Sequence, residues 1–147
     1  MLTTIVLALA MAAGQDQAPV RTVDQVDLQR YAGEWYEIAR IPNDFQDQCA
    51  RDVRARYTLR DDGRVDVLNT CVTAEGKIDE AEGVARIVDR ATSARLEVRF
   101  APAILSFLPN VWGDYWIIGL APDYSWGVGG FAGPEVSLDP LAHAAAR

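Results

Sequence analysis

Apolar and polar residues alternate with a period of two through most of the chain, the signature of half-buried strands rather than of helices. In "ARDVRARYTLR", Val53, Ala55, Tyr57 and Leu59 fall on one face and Arg54, Arg56, Thr58 and Arg60 on the other. "RVDVLNTCV" puts Val65, Val67, Asn69 and Cys71 together, and "RLEVRF" sets Leu96, Val98 and Phe100 against Arg95, Glu97 and Arg99. In "IDEAEGVARIV", Ala81, Gly83, Ala85 and Ile87 oppose Glu80, Glu82 and Arg86. With "EWYEIAR", "WGDYWIIGL" and "YSWGV", these segments predict seven strands. Before them, "VDLQRYAG" predicts a single helical turn capped by Asp27 and ended at Gly33.

No segment between the strands is long enough for a crossover helix, so the strands are expected to pair as an antiparallel meander. Long connections (Ile41 to Cys49, Ala101 to Val111) alternate with short ones (Asp61 to Gly63, Ala121 to Asp123). Alternate connections of a meander lie at the same end. One end is thus closed by tight turns and the other rimmed by long loops, as in an up-and-down barrel with a mouth. The fourth strand offers only Ala81, Gly83 and Ala85 to the interior, too little for a close-packed core, which predicts a cavity. Asn69, the polar residue on an apolar inward face, needs either a partner inside the protein or a ligand.

The ordered set "YAGEWYEIARIP", "RYTLRDDGRVDVLN", "AEGVARIV", "RLEVRF" and "YWIIGLAPDYSW", covering roughly Val26 to Trp126, resembles the lipocalin family, in particular its bacterial outer-membrane and apolipoprotein D-like branch. Gly33 and Trp35 match the first motif of that family and Asp123 and Tyr124 the second. The resemblance implies an all-β, up-and-down antiparallel barrel of eight strands that binds small hydrophobic molecules, with fatty acids or lysophospholipids as the ligand class. It also implies that Trp35 crosses the barrel floor, covered by an arginine from the last strand, with a helix against the outer wall.

After Trp126 the chain departs from that pattern. "GVGGFAGPEVSLDPLAHAAAR" shows no eighth strand, arginine or capped helix, so seven regular strands are expected, with the first and seventh as open edges. Back-translated with a suitable choice of GC-rich codons and read one nucleotide over, this tail can encode Ala-Trp-Val and then Lys-Tyr-Leu-Trp-Ile-Leu-Ser-Arg-Thr-Pro, similar to the missing strand and its arginine. Residues 127–147 are therefore read as an atypical tail produced by a change of frame, with a natural tail as the alternative.

Composition narrows the function. The 147 residues form one domain, half of them apolar, with a net charge of −7 that argues against nucleic acid as a partner. "MLTTIVLALAMAAG" reads as a signal peptide over residues 1–14, a membrane anchor being the alternative, with a linker over 15–25 and the barrel over 26–126. No cysteine follows the apolar run, so lipid anchoring is not expected; export to the periplasm or the outer-membrane periphery is. In that oxidising setting Cys49 and Cys71 are candidates for a disulfide, two separate buried thiols being the other reading.

An enzyme is not expected. The lone histidine, His143, lies in the tail, no nucleophile elbow or phosphate loop occurs, and Glu80 and Glu82 lie on a charged outward face. Neither a metal nor a cofactor is expected. From strand parity, the ligand-binding residues are Tyr57, Leu59, Val67, Asn69, Ala85, Val98, Phe100, Tyr115 and Ile117. A polar head group is expected near the mouth, where Arg51 or Lys77 is placed to meet it. The apolar loop "APAILSFLPNVW", with Ile104, Leu105, Phe107 and Leu108, is expected to act as a lid that also touches membrane. A protein- or membrane-interaction module without a dedicated ligand is the alternative function, and the oligomeric state is left as monomer or dimer.

Overall fold

The computed structural model describes residues 20–40, 46–100, 108, 111–130 and 143–146. Helix α1 (Leu28–Tyr31) leads into strands β1 (Gly33–Arg40), β2 (Cys49–Leu59), β3 (Val65–Thr73), β4 (Ile78–Ile87), β5 (Arg95–Arg99), β6 (Gly113–Leu120) and β7 (Trp126–Gly130). These are the seven strands that the alternation predicts. A short β8 (His143–Ala146) pairs antiparallel with both β7 and β1, and the sheet closes into a barrel in strict chain order.

Two expectations about the tail are thereby corrected. Strand β7 runs on to Gly130, beyond the boundary set at Trp126, and the first and seventh strands are not open edges. Backbone hydrogen bonding needs no particular side chain, so a four-residue segment with no strand signature of its own serves as a ladder where two edges stand ready to receive it.

The long wall β2–β3–β4 keeps its register over most of its length, with Ala55 opposite Asn69 and Asn69 opposite Ala81. Its alternation is interrupted near the start of β2, where the register shifts around Asp52, a non-glycine residue at φ +54°. The predicted Asp61–Gly63 turn is present, with Gly63 N donating to Arg60 O at 3.0 Å. Outside, charges pair across strands: Glu34 accepts from Arg54 (3.2 Å) and Arg56 (2.8 Å), and Arg86 pairs with Glu97. Glu34 is held below its ordinary carboxyl pKa, chiefly by the Arg56 hydrogen bond. Glu80 and Glu82 are exposed, as their parity predicts.

The closed end is built around α1. Asp27 caps the helix by accepting from Gln29 N (2.9 Å) and Arg30 N (3.2 Å), the arrangement that Asp at this position predicts. Gly33 then turns the chain into β1 at φ +115°, in the region that L side chains avoid. Val23, expected to be linker, also belongs here: its N donates to Ile117 O at 2.9 Å. At the expected start of the barrel, buried Val26 donates its N–H to Thr92 O at 2.8 Å.

Trp35 is 2% exposed and among the largest fully buried side chains. Its indole Nε1 donates to Tyr31 O at 2.8 Å, and the Tyr31 ring lies 4.9 Å from its own. A Cβ at Gly127 would meet the Trp35 ring at 3.6 Å, so the β7 backbone abuts it from another side. In place of the late-strand arginine that the resemblance implies, helix α1 and a glycine strand cover Trp35.

Candidate ligand-binding site

A cavity of about 650 Å³ occupies the barrel interior, within the range of small-molecule sites. Of the nine residues predicted to contact a ligand, Tyr57, Val67, Asn69, Ala85, Val98, Phe100, Tyr115 and Ile117 line it. Leu59 does not; it packs against the buried core beside the β2–β3 turn, below the cavity. Parity set its face correctly, but how far along the strand the cavity reaches depends on what fills the floor. Strand β4 contributes little bulk, as predicted, yet part of the space it leaves is taken. The Phe100 ring lies over Gly83, where a Cβ would approach it to 2.8 Å.

The motif residues Gly33, Trp35, Asp123 and Tyr124 all lie at the closed end. Asp123 accepts from Ser125 N at 3.0 Å and Ser125 Oγ at 2.6 Å, shaping the β6–β7 turn. That turn presents Tyr124, whose hydroxyl accepts from Asp27 N at 2.8 Å. Arg30 reaches back to Pro122 O at 3.0 Å and stacks 4.1 Å above the Tyr124 ring. Helix α1 is thus bolted to the β6–β7 turn, and the floor of the cavity is fixed from outside.

Toward the mouth, Cys49 and Cys71 form a disulfide that ties the start of β2 to the end of β3 and lines the cavity. Neither Arg51 nor Lys77 lines the cavity. Arg51 is exposed and paired with Asp52, and Lys77 sits in the exposed β3–β4 turn. The lining does include Glu37 and Arg40 of β1, joined at 2.9 Å, with Gln46 Nε2 donating to Glu37 Oε2 at 3.2 Å, and it is bordered by Arg54 of β2 and Asp79 of β4. Glu37 shares the inward parity of Trp35, a signal present in the alternation but masked by the habit of placing carboxylates outside.

Sequence reasoning also missed Tyr31 as a wall of the cavity. Its hydroxyl lies 3.3 Å from that of Tyr115, and Tyr115 also hydrogen-bonds Tyr57. Burial raises the pKa of both Tyr57 and Tyr115 above the ordinary phenol value. A helical residue gives no strand parity, so nothing in the local pattern of Tyr31 pointed to the interior. Ile104, Leu105 and Phe107 of the apolar loop lie outside the described residues; Leu108 is exposed.

The match to known proteins decides the family. Residues 26–135 match the family model for the lipocalin-like domain. The chain belongs to the lipocalin family. It is similar to temperature-induced lipocalin-1 of Arabidopsis thaliana, 40% identical over 111 residues, which are 74% of this chain and 59% of that protein. It also resembles apolipoprotein D of Macaca fascicularis, at 37% identity over 69% of this chain and 48% of the relative. The outer membrane lipoprotein Blc of Escherichia coli is 33% identical over 83% of this chain and 65% of its own. This lipocalin therefore spans about half to two thirds of the length of the curated relatives it matches.

Among solved structures, insecticyanin of Manduca sexta aligns with a TM-score of 0.60 at 25% identity, over 87% of this lipocalin and 64% of that chain. The cockroach allergen Per a 4 aligns with the same TM-score at 17% identity, over 90% and 76%, and supports the fold alone. Among the described residues no group of three or more metal-ligating side chains comes together.

Proposed function

We propose that this lipocalin binds and carries or stores small hydrophobic molecules, with fatty acids or lysophospholipids as the class, in lipid maintenance of the cell envelope. The observation that carries this is the barrel cavity of about 650 Å³, apolar along most of its wall and with the Glu37–Arg40 ion pair toward the mouth. Burying an acyl chain contributes about 0.8 kcal/mol per methylene, so roughly ten buried methylenes offset the cost of association and leave micromolar binding. The Cys49–Cys71 disulfide supports export to an oxidising compartment, the periplasm or the outer-membrane periphery.

The test is native mass spectrometry of the purified protein, together with tryptophan quenching by added fatty acid. Trp35 and Trp112 both line the cavity and are expected to report occupancy. A co-purifying acyl ligand and saturable quenching are expected. An empty protein with no quenching ends the carrier reading.

A second reading, contact with a membrane or a partner through the loop 101–111, is favoured by Leu108, which is 39% exposed. Co-sedimentation with liposomes is expected to fall on Phe107→Asp/Leu108→Asp; equal sedimentation of both proteins ends it. The frame change read in residues 127–147 is part of the same proposal. Sequencing the gene across the codons for Trp126 to Gly130 is expected to show a missing or extra base, and an intact reading removes the idea.

A further inference from the structure

Three phenols converge on the cavity wall toward its closed end. Tyr31 comes from α1, Tyr57 from β2 and Tyr115 from β6, and all three line the cavity. Tyr115 is the centre of the group, with the Tyr31 hydroxyl at 3.3 Å and a hydrogen bond to Tyr57. The Tyr31 and Tyr57 rings lie 5.5 Å apart, so the hydroxyls are gathered by packed rings and not by flexible side chains. Strand β7 leaves room for this arrangement: a Cβ at Gly129 would collide with the Tyr115 hydroxyl.

The methyl end of an acyl chain asks for none of this. Phenylalanine at the same positions would offer the same apolar surface without bringing hydroxyls into the interior, where polar groups are costly unless hydrogen-bonded. Each phenol has one donor and two acceptor sites, so three together can both give hydrogen bonds to a ligand oxygen and receive them from it. Of the cations in the lining, Arg40 lies nearer the mouth at the end of β1, while Arg54, which also borders the cavity, is engaged by Glu34 on the outer face. A neutral oxygen therefore suits the tyrosine end, and a charged head suits the mouth.

We propose that Tyr31, Tyr57 and Tyr115 form a hydrogen-bonding subsite for a neutral oxygen at the buried end of the ligand, and that the lipids taken are polar at both ends, such as acyl chains hydroxylated near the terminus. This rests on the carrier reading and narrows its ligand class. An apolar floor discriminates against such a hydroxyl, because the group loses its water without replacement; the tyrosine subsite reverses that preference.

The experiment compares hexadecanoic acid with 16-hydroxyhexadecanoic acid by tryptophan quenching. The unmodified protein is expected to bind the hydroxylated acid about five- to tenfold more tightly, the effect of about one hydrogen bond. In Tyr115→Phe the affinity ratio is expected to fall to one or below. Tyr57→Phe, at the edge of the group, provides the same readout if Tyr115→Phe does not fold. Phe100→Ala at the mouth is expected to weaken both ligands and leave the ratio as it was. Equal or weaker binding of the hydroxylated acid by the unmodified protein, or a ratio that survives the tyrosine substitutions, overturns the subsite. Binding of hexadecanoic acid without preference overturns the subsite alone; binding of neither acid overturns it together with the carrier reading.

Discussion

The two ends of the barrel are held by different physics. At the closed end, Trp35, Tyr31 and Val26 are buried, helix α1 is capped by Asp27, and Tyr124 of the β6–β7 turn bonds the cap residue. At the mouth, Phe100 is exposed, the fixed points are a disulfide and the Glu37–Arg40 pair, and the interior opens. Packed apolar surface and satisfied backbone groups carry the first end; a covalent link and partly exposed charges carry the second. A carrier needs this division, since a ligand must pass one end without loosening the other.

The largest expected effect is at the floor. Trp35→Ala removes a fully buried indole and should cost about 3–5 kcal/mol, seen as a loss of cooperative unfolding in a denaturant titration. A Trp35→Ala protein as stable as its parent would show that the floor is not the anchor. Next comes the disulfide at the mouth. Closing a loop of sequence separation 22, it should contribute about 3 kcal/mol in the chain-entropy model, so a Cys49→Ser/Cys71→Ser protein should melt lower by that equivalent. The mouth would then depend on a single covalent link about as much as the floor depends on packing.

A smaller change separates the floor's hydrogen bonds from its packing. Tyr124→Phe keeps the ring under Arg30 but removes the acceptor for Asp27 N, and should cost about 1 kcal/mol by chemical denaturation. No measurable change would mean that water replaces the phenol there. The smallest stability effect is expected from Phe100→Ala at the mouth, within about 1 kcal/mol because the ring is already half in water. Its consequence should appear in binding, as weaker quenching by hexadecanoic acid. A large drop in stability instead would place Phe100 with the core and erase the contrast between the ends.

Much of the cavity wall is legible from alternation alone. Tyr57, Val67, Asn69 and Val98 point inward because β-strand parity leaves one choice once neighbouring apolar residues are buried. The exceptions share a cause. Leu59 has the right face but lies below the cavity, Arg51 is displaced by the irregularity around Asp52, and Tyr31 enters from a helix; each depends on distances between elements that a linear pattern does not contain. Glu37 follows the same parity as Trp35, and its charge, which ordinarily favours the outer face, is held at the cavity by Arg40.

By itself, the sequence determined the seven strands and their faces, the capped helical turn, the glycine entry into β1 and the family, because these follow from local sterics and from the periodic placement of apolar side chains. Tertiary structure alone decided how the barrel closes, what covers Trp35, and where three tyrosines meet. Residues His143–Ala146 have no strand signature, yet the waiting edges of β7 and β1 recruit them through backbone hydrogen bonds, which any residue other than proline can supply. Likewise Tyr31, Tyr57 and Tyr115 are separated by many residues along the chain and come together only when the sheet curls on itself and α1 plugs its end.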